Sequence, residues 1–256
     1  MPGIVVGKRG VDGSIGGLLY SAPFCVSGNG NEDVVTMSFK AIRKDVCEAN
    51  RELEKLGLIF LDQGGASAID REQGVVVVKP AGIPHASLTP EELLVMDLTG
   101  RLVEGSLPPA PDMAAHLFLY QAFRDITGIV NTFSPYATMF AQAERSIPCL
   151  GVVHAKVFKG EIPVTRALRK PEIERNYEKS LGGVIIERFA RLDPAEIPGA
   201  LVAHHGAYTW GRTVGIAVTR SAALEKAAQL AYGTLTLAPQ AQPIPGMLSD
   251  RHFSKG

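Results

Sequence analysis

Apolar residues recur at steps of three and four through Val35, Phe39, Ile42, Val46, Ala49, Leu53 and Leu56. That is the stripe of an amphipathic helix, and Gly57 closes it. Residues 58–61 and 74–78 read as strands, and Val75-Val76-Val77-Val78 is apolar on both faces, as a strand covered on both sides must be. Thr89-Pro90-Glu91-Glu92 has a cap, a proline at the first position and a glutamate three residues after the cap, which predicts a helix start. Residues 95–97 and 101–103, flanking Leu98-Thr99-Gly100, predict a short hairpin. Further helices are expected over about 111–123, 136–145, 172–192 and 213–232, the third interrupted or kinked at Gly182-Gly183. Strands are expected at 128–133 and 200–203, and the tail from Pro239, rich in Pro and Gly, should wrap over a surface.

Residues 1–31 have no such period and are dense in glycine, so they read as an irregular N-terminal extension, with one domain over 32–256. Strands and helices alternate, which gives an α/β class, while the hairpin argues against a purely parallel sheet. Composition narrows the function classes. The chain has 256 residues, 46% apolar and 20% charged, with a formal net charge of zero. No global field draws it to nucleic acid or an anionic membrane, and no apolar run approaches the roughly 18 residues of a membrane span. The start of the chain lacks the pattern of a secretory signal. Cys25, Cys47 and Cys149 are odd in number and widely spaced, as in reduced thiols, and a cytoplasmic location is expected. Gly28-Asn29-Gly30 lacks the flanking strand and helix of a dinucleotide fingerprint, so no nucleotide cofactor is expected.

Candidate chemistry collects in a few tracts: Asp112 four residues before His116, Asn131-Thr132-Phe133 on a strand, and Ala203-His204-His205-Gly206. With Ala68-Ile69-Asp70-Arg71-Glu72-Gln73-Gly74-Val75, Lys79-Pro80-Ala81-Gly82, Leu119-Tyr120-Gln121-Ala122-Phe123, Ser146-Ile147-Pro148 and Thr209-Trp210-Gly211, these resemble the class II aldolase/adducin family from about Ser38 onward. Within it the resemblance is greatest to the L-ribulose-5-phosphate 4-epimerase branch. It implies a three-layer α/β/α sandwich around a mixed, largely antiparallel sheet, and a homotetramer with active sites at subunit interfaces. It also implies a divalent, zinc-type ion held by an acidic residue, a His-x-His pair and a later His before Gly. Asp112 and His205 match that ligand set, whereas Asn131 and Phe133 stand at the His-x-His positions. Two protein ligands fall short of the three or four that zinc takes. The expectation is therefore no cofactor, or a weakly bound divalent metal. From the residues alone, Asp112 reads equally as a helix cap and His205 as a buried, hydrogen-bonded histidine.

The substrate loops differ from the family in the same way. Ala81-Gly82 and Ala110-Pro111 stand where the resemblance implies hydroxyls for a phosphate, while Lys79 still offers a cation. Gly82, Asn131, Thr132 and Phe133 join Lys79 as candidate substrate-binding residues. The family's acid/base Asp and Tyr positions hold Lys156 and Phe253. Lys156, His154 and Asp112 are the catalytic candidates: a desolvated lysine can act as base or form a Schiff base, or it can be a solvated interface lysine. His154 reads as a pocket donor or a core histidine. Three functions follow. The first is an enzyme with carbon–carbon lyase, epimerase or related enolate chemistry on a small carbonyl-bearing substrate. The second is a non-catalytic scaffold on the same fold. The third is a metal-dependent epimerase with unusual ligands.

Overall fold

A computed structural model describes residues 39–253, so the N-terminal extension lies outside the described residues. Helix α1 (Lys40–Lys55) turns Val46, Ala49 and Leu53 inward, as the stripe predicts. Asn50, buried on the same face, donates to the carbonyl of Ala66 at 3.0 Å and accepts from its amide at 2.9 Å. One side chain thus fixes α1 on strand β1 (Gly65–Asp70). Strand β2 (Val75–Val78) and the hairpin β3 (Leu94–Asp97)–β4 (Leu102–Glu104) follow. Next come α2 (Met113–Ala122), β5 (Gly128–Thr132), α3 (Pro135–Gln142) and the short α4 (Val152–Ala155). The chain continues through α5 (Lys170–Arg188), β6 (Gly199–Val202), β7 (Gly206–Gly211), α6 (Val214–Leu237) and α7 (Gly246–His252).

The seven strands form one sheet in the order β4-β3-β2-β1-β5-β7-β6, and every ladder is antiparallel. A single parallel bridge, Val164 to Leu201, lies outside the strands. Alternation sends Val76, Val78, Leu94, Met96 and Ile129 to one face, against Leu119 of α2 and Leu181 and Ile185 of α5. Val75, Val77, Val95 and Val130 go to the other, against α1 and Val214, Ala217 and Val218 of α6. The expected three-layer α/β/α architecture is present, and its two covered faces explain the uninterrupted valine run.

Three local expectations change. Residues 58–61 are not a strand: Leu61 and Asp62 take left-handed φ values of 51° and 58°, and only a Phe60–Gln63 bridge forms. A short reversal from α1 into β1 demands that turn. Thr89 starts a 3-10 turn over Pro90–Glu92, with the Glu92 carboxylate accepting from the Thr89 amide at 2.7 Å. The kink in α5 lies at Asn176 (φ −154°, ψ 64°), not at Gly182-Gly183. Gly182 instead lets α5 approach α2, because a Cβ there would lie 3.0 Å from the carbonyl oxygen of Ala115. The tail beyond Pro239, expected to wrap over a surface, lies against the chain before α4, where the Ile244 amide bonds the Cys149 carbonyl at 2.9 Å, and adds the short helix α7.

Two outcomes follow. Gly182→Val should lower unfolding free energy by about 1–3 kcal/mol through overpacking against α2. Gly183→Ala, with its nearest neighbour at 3.7 Å, should be neutral or raise it by up to ~1 kcal/mol. Urea unfolding of both variants measures the contrast, and equal effects would contradict this packing. The second outcome concerns His154, which is buried and bonds the Gly160 carbonyl through Nε2 at 2.7 Å. Burial pushes its pKa down to about 4 from the ordinary 6.5, so the unfolded chain binds the extra proton between those values. Its contribution is complete above pH 6.5 and is lost as pH falls toward 4, with a slope of up to ~1.4 kcal/mol per unit. A His154→Gln variant should show a shallower acid limb in a pH series of unfolding curves.

Candidate functional site

The candidate residues gather at one end of the sheet. Asn131 on β5 lies between Gly65 of β1 and Tyr208 of β7 in the register. A bridge between Pro80 and Pro109 and a bond from the Ala110 amide to the Lys79 carbonyl (3.4 Å) bring the approach to α2 alongside the end of β2. Asp112 occupies the residue before α2 but makes no capping bond with its side chain. Its Oδ2 instead accepts from the Asn131 amide Nδ2 at 2.8 Å.

Asn131 is the centre of a buried chain of hydrogen bonds. Its Oδ1 lies 3.2 Å from His116 Nε2, and His116 Nδ1 lies 2.8 Å from the Ser67 hydroxyl. An amide oxygen only accepts, so His116 carries its proton on Nε2 and accepts from Ser67 at Nδ1. Tyr120 donates to the Ser67 carbonyl at 2.9 Å. Burial pushes His116 down to about 4 despite the opposing charge of Asp112, so the ring is neutral and this polarity is fixed. The order Ser–His–Asn mimics a nucleophilic triad, but the Ser67 hydroxyl is shared with Tyr120 and the Asn131 amide turns to Asp112, so its groups are tied up within the core layer. The chain is a scaffold that orients Asp112.

Across from it stands His205, in the turn between β6 and β7. Phe133 packs edge-on against it with ring centroids 4.8 Å apart. Gly206 allows this, since a Cβ there would lie 2.5 Å from the Thr132 carbonyl oxygen and 3.2 Å from the Phe133 ring. Tyr177, just past the Asn176 kink, places its hydroxyl 3.2 Å from His205 Nδ1. Tyr208 stacks on the imidazole with centroids 6.1 Å apart and 21° between planes. His205 Nε2 and the Tyr208 hydroxyl are buried and have no hydrogen-bond partner. Burial lowers the pKa of His205 against the pull of Asp112, and raises those of Tyr208 and Tyr177, with Asp112 adding to both. His204 is turned away: at φ 60° it is exposed and pairs with Glu144 at 3.2 Å.

Lys79 is 4% exposed, and its described hydrogen bond runs from the ammonium to the Pro80 carbonyl at 3.4 Å. Burial lowers its pKa, and Asp62 opposes this. His85, fully buried beside it, meets Asp62 at 3.3 Å. Gly82 has φ 78° with open space around it, and Thr132 is buried. Lys156 is exposed at the end of α4, and His154 is committed to Gly160. The fold thus brings Asp112, Asn131, Phe133 and His205 together; no described hydrogen bond or ring contact joins His154 to them. Tyr177 and Tyr208 were not singled out from the sequence. His116 was marked only by its i, i+4 spacing from Asp112, and Ser67 had no partner pattern to mark it.

The ion implied by the resemblance does not fit this donor set. The Asn131 oxygen accepts from His116 and its NH₂ faces Asp112, while Phe133 offers a hydrocarbon ring. Only a carboxylate and one imidazole keep ligand chemistry, and a zinc-type ion takes three or four protein ligands. Among the described residues no group of three or more His, Cys, Asp or Glu is placed to hold an ion.

Comparison with known proteins agrees with this fold. The model of the class II aldolase and adducin N-terminal domain matches residues 44–232. L-ribulose-5-phosphate 4-epimerase UlaF of Salmonella paratyphi C is 39% identical over 214 residues, covering 84% of this chain and 94% of that protein. The protein of the same name from Salmonella typhi matches equally, at 39% identity over 214 residues with the same coverage. Among solved structures, an L-fuculose 1-phosphate aldolase superposes with a TM-score of 0.70 at 20% identity, over 83% of this chain and 94% of that one. YgbL from Escherichia coli, a putative aldolase/epimerase/decarboxylase, follows at 0.67 and 17%, over 84% and 98%. The homology to an epimerase over most of both chains supports an enzyme of the epimerase or lyase kind. On sequence and fold together, the chain belongs to the class II aldolase and adducin family.

Proposed function

We propose that this chain is an epimerase- or lyase-type enzyme that forms an enolate on a small carbonyl-bearing substrate, using its own hydrogen-bond donors where its relatives' ligand positions would hold a divalent ion. One observation carries the reading: the Asn131 amide ties Asp112 to His116 and the Phe133 ring lies against His205, while a carboxylate and an unpartnered imidazole nitrogen remain. Whether a C–H or a C–C bond beside the carbonyl breaks, negative charge arrives on the carbonyl oxygen, and donors aimed there lower the barrier. Asp112 is the base. Asn131 holds its Oδ2, and no described residue bonds the other oxygen, which takes the proton. His205 donates to the developing oxyanion.

Phe133, with Ala110 and Pro111 in place of hydroxyl and amide donors, makes the walls apolar. That favours an apolar or aromatic carbonyl compound over a sugar phosphate. Lys79 holds an anionic or carbonyl group at the far end. Gly82 leaves the loop beside it open, and buried Thr132 keeps β5 in register between Asn131 and Phe133. His154 stays structural. Lys156 serves only from a neighbouring subunit, in the homotetramer and cytoplasmic setting that family membership leads us to propose. No helix among the described residues is long and apolar enough to cross a membrane.

The test is proton exchange in D₂O with a chelator present, using dihydroxyacetone, pyruvate and phenylpyruvate and reading deuterium beside the carbonyl by NMR. The wild-type chain should label at least one of them, and Asp112→Asn should slow labelling by about 100-fold. Exchange that appears only after zinc, manganese or iron is added contradicts the reading, as does full activity in Asp112→Asn.

A further inference from the structure

A buried donor without a partner loses its hydrogen bond to water and gains nothing, so each one asks for an explanation. Among the described residues three such atoms are guanidinium Nε atoms, of Arg43, Arg51 and Arg71, and the Arg43 and Arg71 groups bond elsewhere through their terminal nitrogens. His85 stands with Asp62 on the far side of Lys79. Two others differ because they are neighbours: His205 Nε2 and the Tyr208 hydroxyl, on rings stacked almost parallel. Both groups feel the charge of Asp112, so both belong to the carboxylate end of the site.

The direction of the His205 proton decides what this pair can bind. A neutral imidazole has one N–H and one lone pair, and the partner of one nitrogen fixes the state of the other. The described bond to its ring comes from Tyr177, whose hydroxyl lies 3.2 Å from Nδ1. Tyr177 reaches it because α5 breaks helical geometry at Asn176, one residue earlier. A phenol can donate to a ring nitrogen or accept from it, and the donating arrangement to Nδ1 leaves the imidazole proton on Nε2.

We propose that Tyr177 holds His205 in the Nε2–H tautomer, and that His205 Nε2–H and the Tyr208 hydroxyl form a paired donor site for an oxyanion, the enolate oxygen of the substrate. The inference rests on the enolate reading above and deepens it: Tyr208 touches the reacting oxygen, and Tyr177 is a positioning residue acting through His205. No proton is consumed. The electron pair released beside the carbonyl moves onto its oxygen, the two donors hold that oxygen, and the carbonyl re-forms when the carbon is reprotonated or joined again.

The test uses the anion of nitroethane, a planar nitronate shaped like a small enolate, with the full chain and a chelator present. Binding is read by calorimetry, and the His205 ring nitrogens are read by ¹⁵N NMR. The wild type should bind the nitronate and show the proton on Nε2. Tyr208→Phe should weaken binding about tenfold, the share of one charge-assisted hydrogen bond. Tyr177→Phe should weaken it too and shift His205 toward a mixture of tautomers, which a purely structural tyrosine would not do. Each variant removes a single oxygen, and thermal unfolding checks that the fold survives.

No nitronate binding, unchanged affinity in Tyr208→Phe, or a wild-type proton on Nδ1 would each overturn the proposal. Because the probe needs no turnover, nitronate binding alongside absent proton exchange separates a sound donor pair from a failed enolate reading.

Discussion

One side-chain amide sets the terms for the rest of the site. Asn131 gives its NH₂ to Asp112 and its oxygen to His116, at the point where β1, β5 and β7 end together. Both partners are then fixed in role: the carboxylate is oriented, and the imidazole must be neutral with its proton on Nε2. In a buried setting an unmade bond of this kind costs about 1–3 kcal/mol, so the network is satisfied throughout or it is a liability. The fold satisfies it, through Ser67 and Tyr120, as far as the core layer beneath the sheet.

That network can exist because the sheet is covered on both sides. Ser67, Asn131 and Tyr208 point from neighbouring strands into the layer that α2 and α5 close, where water does not compete. The other face, packed by α1 and α6, is pinned by the buried Asn50–Ala66 and Thr209–Ser221 bonds and backs the sheet. Function is left to the sheet's end, where Lys79 with His85 marks one side and His205 with its three aromatic neighbours marks the other. Phe133 is the hinge between scaffold and pocket. Its ring packs edge-on against His205.

The long helices were legible because their apolar stripes are regular, and the valine run announced a strand buried on both faces. Strands β1 and β7 were not predicted from periodicity, since Gly-Ala-Ser-Ala has too little side chain to alternate visibly. Gly182-Gly183 looked like a break, but its meaning lies in the approach of a second helix, which no local pattern encodes. The kink at Asn176 had no sequence signal. At the site, Asp112, Asn131, Phe133 and His205 were legible through family resemblance. Tyr177 and Tyr208 were hidden, and the roles of Ser67 and His116 were not readable, because their partners are distant in sequence. A serine without a sequence pattern becomes meaningful only when a histidine 49 residues later is found bonded to it.

The central claim is that Asn131 and Phe133 have taken a metal site out of metal chemistry while leaving an oriented carboxylate and imidazole. Its most direct test is the metal content of protein purified without chelator and then equilibrated with zinc, manganese and iron. The account predicts far less than one ion per chain under each condition, and no change in content on His205→Ala. Near-stoichiometric metal that disappears in His205→Ala would contradict it and return the chain to the metal-dependent chemistry of its relatives.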